Sequence, residues 1–164
     1  ITIEFVGAHP NPTVTGIDIQ EGRSHYLIGS APERWHTDVP HYGKVRYEQL
    51  YEGIDLVYYG TAQHRLEYDF VVAPGADPAR IRLHPMGIED LHLDENGDLI
   101  LRTTGGDVVW QAPFAYQERA GHLEEVASGY VLDGHHISFA LGPYDPVRAN
   151  YRSSPVVCHL SGRQ

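Results

Sequence analysis

The chain has 164 residues, 41% of them hydrophobic, with 17 Gly, 11 Pro and a formal net charge of −10. That length suits one domain with a sizeable core, and the frequent Gly and Pro favour short strands between turns over long helices. The negative balance excludes a nucleic-acid partner, which needs clustered Lys and Arg, no stretch approaches the roughly 20 apolar residues of a membrane span, and a single Cys158 excludes an intrachain disulfide or a multi-cysteine zinc site.

In chain order, Ile1-Thr2-Ile3-Glu4-Phe5-Val6 alternates and reads as a first strand. Residues 14–19 alternate again, with Gly16 marking a bulge. Glu21-Gly22 reads as a turn and His25-Tyr26-Leu27-Ile28 as a strand. Residues 31–35 are expected to form one helical turn, and Asp38-Val39 is extended before Pro40. Residues 44–47 are strand-like, and residues 48–51 read as a single turn ahead of Gly53.

The clearest pattern follows. Ile54-Asp55-Leu56-Val57-Tyr58-Tyr59 and Leu66-Glu67-Tyr68-Asp69-Phe70-Val71-Val72 flank the polar stretch 60–64 and predict a β-hairpin. In its second strand Leu66, Tyr68, Phe70 and Val72 share one face, with Glu67 and Asp69 on the other. Residues 73–78 then break the pattern with two prolines, and 78–80 start a short helical turn. Brief strands are expected at 81–83 and 91–93. Asn96-Gly97 predicts a type I′ hairpin turn into 99–103. Gly105-Gly106 turns the chain into 107–111, and strands at 114–118, 123–132 and 137–141 complete the series. Strands at this spacing predict a sandwich or barrel.

Three groups of residues bear on chemistry. Glu67 and Asp69 stand i, i+2 on one strand face, which sets their Cβ atoms about 6–7 Å apart at a rise of ~3.3 Å per residue. That spacing suits the carboxylate pair of a glycosidase, with Asp55 as a third acid. A solvated strand face, with the acids paired to Arg46 or Arg65, explains the same residues. His36 and His41 flank Asp38 and, with Asp55, are the metal candidates; His9, His25 and His64 lie in other loops and His135-His136 at a turn. None has the His-Glu-x-x-His spacing, so no metal is expected. Asp94, Asn96 and Asp98 mimic the start of a calcium loop, but the run lacks its twelfth-position acid. No Gly-x-Ser-x-Gly elbow, phosphate loop or dinucleotide fingerprint occurs, and no cofactor is expected.

The aromatics form the third group. There are 11 Tyr and 2 Trp. Tyr58 and Tyr59 are adjacent and must face opposite sides of the sheet. Trp35, Tyr58, Tyr59, Trp110 and Tyr116 are the candidate ligand-binding residues, because flat rings beside acids and amides suit sugar rings. Core packing and a domain interface account for the same rings.

The central block also resembles a known family. Trp35, Val39-Pro40, Val45-Arg46-Tyr47, Tyr51, residues 53–60, Leu66-Glu67-Tyr68-Asp69-Phe70 and Pro74-Gly75-Ala76-Asp77-Pro78 carry the likeness, with Ala112-Pro113, Tyr116-Gln117 and Gly142-Pro143-Tyr144-Asp145-Pro146 further on. They resemble a bacterial cell-surface domain of unknown function, usually found ahead of seven-bladed β-propeller (SBBP-type) repeats in large secreted proteins. The resemblance covers roughly residues 3 to 146. It implies an extracellular or cell-surface, mostly β domain with no assigned catalysis, whose partners are neighbouring domains of the same surface protein; polysaccharide is the partner that the aromatic rings suggest.

The expected fold is therefore an all-β, antiparallel β-sandwich of many short strands joined by tight turns, spanning residues 1–146. Residues 147–164 depart from the family pattern and read as a divergent, partly mobile tail. The expected function is a non-catalytic extracellular module, structural or glycan-binding. The alternative is a glycoside hydrolase-like enzyme using Glu67 and Asp69.

Overall fold

The computed structural model describes residues 1–60, 66–119, 121–145 and 156–163. The stretch 61–65, including most of the predicted hairpin turn with His64 and Arg65, lies outside the described residues, as do Pro146 and 147–155 of the predicted tail. The fold is all-β. Its strands are β1 (Thr2–Phe5), β2 (Thr13–Tyr26), β3 (His36–Tyr51), β4 (Ile54–Gly60), β5 (Leu66–Val72), β6 (Leu83–Met86) and β7 (Asp90–Leu93). There follow β8 (Leu99–Thr103), β9 (Gly106–Trp110), β10 (Phe114–Arg119), β11 (His122–Val126), β12 (Ser128–Asp133), β13 (His136–Leu141) and β14 (Val156–Arg163). Two 3₁₀ turns, Pro32–Arg34 and Pro78–Arg80, are the helical segments among the described residues.

The strands make two antiparallel layers. One is a four-stranded sheet in the order β1-β6-β13-β12. The other follows β2-β3-β4-β5-β14-β9-β8-β7, with β10 beside β14 and β11 beside β10. The predicted hairpin is present, with Ile54↔Val72, Leu56↔Phe70 and Tyr58↔Tyr68 in register. Its apolar face turns inward as the alternation requires: Ile54, Leu56, Phe70 and Val72 are buried. They meet Leu83, Tyr130, Ile137 and Phe139 of the four-stranded sheet. The Phe70 ring lies 5.8 Å from Phe139 and 6.3 Å from Phe5, centroid to centroid. Burying such side chains contributes about 1.5–3 kcal/mol each. The layers are also tied by polar groups, since the Tyr51 hydroxyl donates to the Arg82 carbonyl at 3.1 Å and that of Tyr130 to the Gln111 carbonyl at 2.9 Å.

The chain departs from its local sequence pattern at several points. Glu21-Gly22 is not a turn; β2 runs through it, with a register shift between Ile19 and Arg23. Residues 48–51 are not a helical turn either. They continue β3 through a bulge, with Gln49 at φ 52°. The hairpin turn there is Glu52-Gly53. Gly53 stands at φ 72°, and a Cβ on it would lie 2.7 Å from that of Ala76. At Asn96-Gly97 only Gly97 has positive φ among the turn residues, at 80°. Its amide donates to the Asp94 carbonyl at 3.1 Å, and the Asp94 amide to the Asp98 carbonyl at 2.9 Å. This is a three-residue turn closed by a glycine bulge rather than type I′. The strand predicted over 123–132 is two strands. The chain leaves the large sheet after Val126 and enters the small one at Ser128.

The local sequence pattern predicts no strand beyond residue 141, yet β14 occupies a central place. It pairs with β5 over Val156–Ser161, while its other edge pairs first with β10 and then, at Gly162 and Arg163, with β9.

Candidate functional site

The outer face of the large sheet collects the residues with chemical potential. Alternation along β4 and β5 turns Asp55, Val57, Tyr59, Glu67, Asp69 and Val71 away from the core, since their neighbours in sequence face it. On β3, Arg46 pairs in register with Val57 and Lys44 with Tyr59, so both lie on this face. On β10, Ala115 and Gln117 are buried, which leaves Phe114, Tyr116 and Glu118 outside.

Tyr59 is the hub. Its hydroxyl donates to Asp69 Oδ1 at 3.0 Å, and Lys44 Nζ lies 5.2 Å from its ring centroid. Burial pushes the phenol's pKa up, and the nearby Asp69 carboxylate, its hydrogen bond, Glu67 and Tyr116 push the same way. The phenol therefore stays protonated and keeps donating to Asp69. Tyr116 is raised as well, by burial and then by the Asp69 charge. Its ring lies 6.0 Å from that of Phe114 at an interplanar angle of 37°, and Phe114 is 46% exposed. The result is a pair of rings on the same sheet face as a phenol–carboxylate pair, two strands away across β14, with a cation at the far side of that pair.

The structure divides the predicted aromatic set. Tyr59 and Tyr116 lie on this outer face. Tyr58 and Trp110 lie on the inner side. There Tyr47, Tyr58, Tyr68 and Trp110 make a chain of ring contacts, with centroids 5.9, 5.4 and 6.3 Å apart. Trp35 sits at the tip of the β2–β3 ribbon, its indole donating to the Gly29 carbonyl at 3.1 Å. Phe114 and Lys44 were missed. The Phe-Ala-Tyr-Gln alternation at 114–117 was the signal for Phe114, because it puts both rings on one face.

The predicted carboxylates divide too. Glu67 and Asp69 share the outer face. Asp55 is buried, 8% exposed, and is committed elsewhere. Its Oδ1 accepts the Gln49 amide at 2.7 Å and its Oδ2 is paired with the Arg46 guanidinium. Asp55 thus holds the β3 bulge. His36 and His41 stand on the ribbon, His41 against the Ser24 hydroxyl. At ~3.3 Å per residue His36 lies roughly 30 Å along the strand from Arg46, so the two histidines and Asp55 do not converge. Among the described residues no three His, Cys, Asp or Glu side chains gather as a metal site. Asp94 accepts the amides of Asn96 at 2.9 Å and Asp98 at 2.8 Å, and Asp98 accepts that of Ala112 at 2.7 Å, so these acids cap a turn.

A separate open cleft of about 630 Å³ lies at the end of the β3–β4 hairpin. It is lined by His9, Pro10, Gln49, Tyr51 and Glu52, with Arg80 paired to Glu52 at 2.8 Å. None of the residues singled out for catalysis or ligand binding lines it.

Residues 1–149 match a family described as a domain of unknown function, DUF7948. The chain belongs to the DUF7948 family. No curated protein and no solved structure matches it. The DUF7948 match takes in every residue of the outer-face group, while β14 lies beyond it. Among the described residues no helix is long and apolar enough to cross a membrane.

Proposed function

We propose that this DUF7948 domain is a non-catalytic, extracellular module of a bacterial surface protein that holds polysaccharide against the outer face of its large sheet. The observation that carries the reading is the Phe114–Tyr116 ring pair on the same outer face as the Tyr59–Asp69 hydrogen bond, one strand, β14, lying between them. Sugar rings present C–H faces that pack on aromatic rings and hydroxyls that need polar partners. Phe114 and Tyr116 supply the first kind of surface. Asp69, Glu67 and Lys44 supply acceptors and a donor. Neighbouring domains of the same surface protein are the second class of partner, by the resemblance to domains that precede propeller repeats.

The same geometry weighs against a hydrolase. Glu67 and Asp69 lie on a sheet face and not in the described cleft, and the Asp69 carboxylate is engaged by a phenol that stays protonated. A glycosidase needs both carboxyls to flank one bond.

Retention on insoluble glucans and mannans, at low and at high salt, tests the proposal. Binding that survives high salt is expected, because stacking and hydroxyl hydrogen bonds are screened little. Reducing sugar released in the same tubes, and lost in Glu67→Gln, would establish the hydrolase instead.

A further inference from the structure

The far end of the β2–β3 ribbon gathers large apolar side chains that the domain leaves uncovered. The last register pair of the ribbon is Tyr26↔His36, and residues 27–35 close its turn. At ~3.3 Å per residue that pair lies 25 Å or so beyond Lys44↔Tyr59, the last described pair of β3 with β4. At the turn Leu27 is 58% and Ile28 75% exposed, with Tyr26 and Trp35 exposed just behind them. Single exposed apolar residues are ordinary, but four at one projecting point mark an interaction surface.

Charge favours an anionic surface at this point. Arg23 and Arg34 are the cations of the segment 23–36 and Glu33 is its one acid, in a chain of net charge −10. Arg23 stands 3.9 Å from Asp38, an exposed pair that contributes little. Asp18 and Glu21 stand lower on the ribbon. The acids of the two-layered body lie roughly three Debye lengths back at physiological salt, so their repulsion is screened at the tip.

The backbone of the turn is suited to leaving water. The Gly29 carbonyl accepts the Trp35 indole N–H at 3.1 Å. The Ala31 carbonyl accepts the Arg34 amide at 3.0 Å and the Pro32 carbonyl the Trp35 amide at 3.1 Å. Pro32 has no amide of its own to satisfy. Carbonyls already partnered lower the cost of moving a turn into an apolar medium.

We propose that the tip of the β2–β3 ribbon docks reversibly on a lipid bilayer that carries anionic headgroups. Leu27 and Ile28 enter the edge of the hydrocarbon, Tyr26 and Trp35 rest at the interface, and Arg23 and Arg34 reach the headgroups. Those are the layers in which a bilayer receives apolar, aromatic and cationic side chains. A fluid bilayer also takes in a convex point without a matching pocket. The tip is separate from Phe114 and Tyr116 on β10, so vesicle binding and glycan retention stand or fall independently.

Flotation of the native chain with vesicles tests the proposal, using phosphatidylcholine alone and equal parts phosphatidylcholine and phosphatidylglycerol at physiological salt. The chain is expected to float with the anionic vesicles and several-fold more weakly with the neutral ones. Ile28→Asp should weaken association by about tenfold or more, and Arg34→Gln should remove most of the preference for phosphatidylglycerol. Leu123→Asp, at a leucine on β11 that is also exposed, should change nothing. All three variants should keep the native melting temperature, since their side chains are exposed. Brominated lipid should quench the tryptophan emission of the native chain but not of Trp35→Phe, because Trp110 lies among the inner rings. Absence of flotation, flotation unchanged in Ile28→Asp, or quenching retained in Trp35→Phe would each overturn the proposal. So would a dimer that Ile28→Asp dissociates in the absence of vesicle binding, which would assign the tip to a second copy of the chain.

Discussion

At the scale of single residues, Asp55 shows how one carboxylate is used for geometry. It is nearly buried, it accepts the amide of Gln49, and Gln49 sits in the left-handed region at φ 52°. A non-glycine residue there is strained, and the bond from Asp55 offsets part of that cost. The Gln49 side chain adds to it by accepting the Gly53 amide at 3.0 Å. Hydrogen bonds to a charged group contribute about 1.5–3 kcal/mol. Asp55→Ala should therefore lower the unfolding free energy by roughly that amount in urea denaturation, and Arg46→Ala should add little once Asp55 is gone. Additive losses would show that the two side chains act separately. The sequence made Asp55 visible as an acid beside Glu67 and Asp69 but not as a bulge holder. Its partner amide comes from a bulge whose existence depends on how β3 meets β4.

At the scale of elements, the β2–β3 ribbon is the part least like a sandwich. Lys44↔Tyr59 is the last described pair between β3 and β4, while β2 and β3 stay paired out to Tyr26↔His36. Every residue from 18 to 43 is exposed or half-buried, and Ile28 reaches 75%. A two-stranded ribbon with no core has little stability of its own. Replacing residues 18–43 by Asn-Gly between Ile17 and Lys44 should leave the melting temperature of the remaining domain within about 4 °C of the native value, the shift that roughly 1 kcal/mol produces in a domain of this size. A collapse of the transition would show that the ribbon packs on the body. The elements that were legible in the sequence are those whose partner is close along the chain. The 54–72 hairpin is the case in point, its facing fixed by the alternation of Leu66, Tyr68, Phe70 and Val72. The ribbon was read as separate short strands because Glu21-Gly22 carries turn chemistry, yet here it sits in a bulge. β14 was missed because its partners lie far away in sequence: Val71 and Val72 on one side, Tyr116 and Gln117 on the other. In the site, Tyr59 and Tyr116 were legible as rings. That Tyr58 and Trp110 turn inward follows only from which face packs on β13.

At the scale of the molecule, the inner tyrosines give the fold a weakness to alkali. Burial pushes Tyr58 up to about 12, helped by Tyr47, and pushes Tyr68 and Tyr130 above the ordinary range of 10.0. A folded-state pKa raised above the unfolded one contributes stability that is complete below the unfolded value and is lost as pH climbs through the folded one. Denaturant midpoints should be level through pH 9 and fall between pH 10 and 12, with a smaller fall in Tyr58→Phe. A midpoint unchanged at pH 12 would contradict the placement of these rings. The chain's charge of −10 adds general repulsion, and Tyr58→Phe separates the two effects because it leaves the other charges in place.

The large sheet thus carries rings on both faces, those inside packing the core and those outside forming the proposed glycan surface. The most direct measurement is calorimetric titration with soluble gluco- and manno-oligosaccharides. It would compare the native chain with Tyr116→Ala, Phe114→Ala and Trp35→Ala. Stacking contacts of about 0.5–1.5 kcal/mol each make the expected loss up to roughly tenfold for either outer-face ring, with Trp35→Ala binding as the native chain does. Absence of saccharide binding by the native chain, or binding that Tyr116→Ala and Phe114→Ala leave intact, would contradict it.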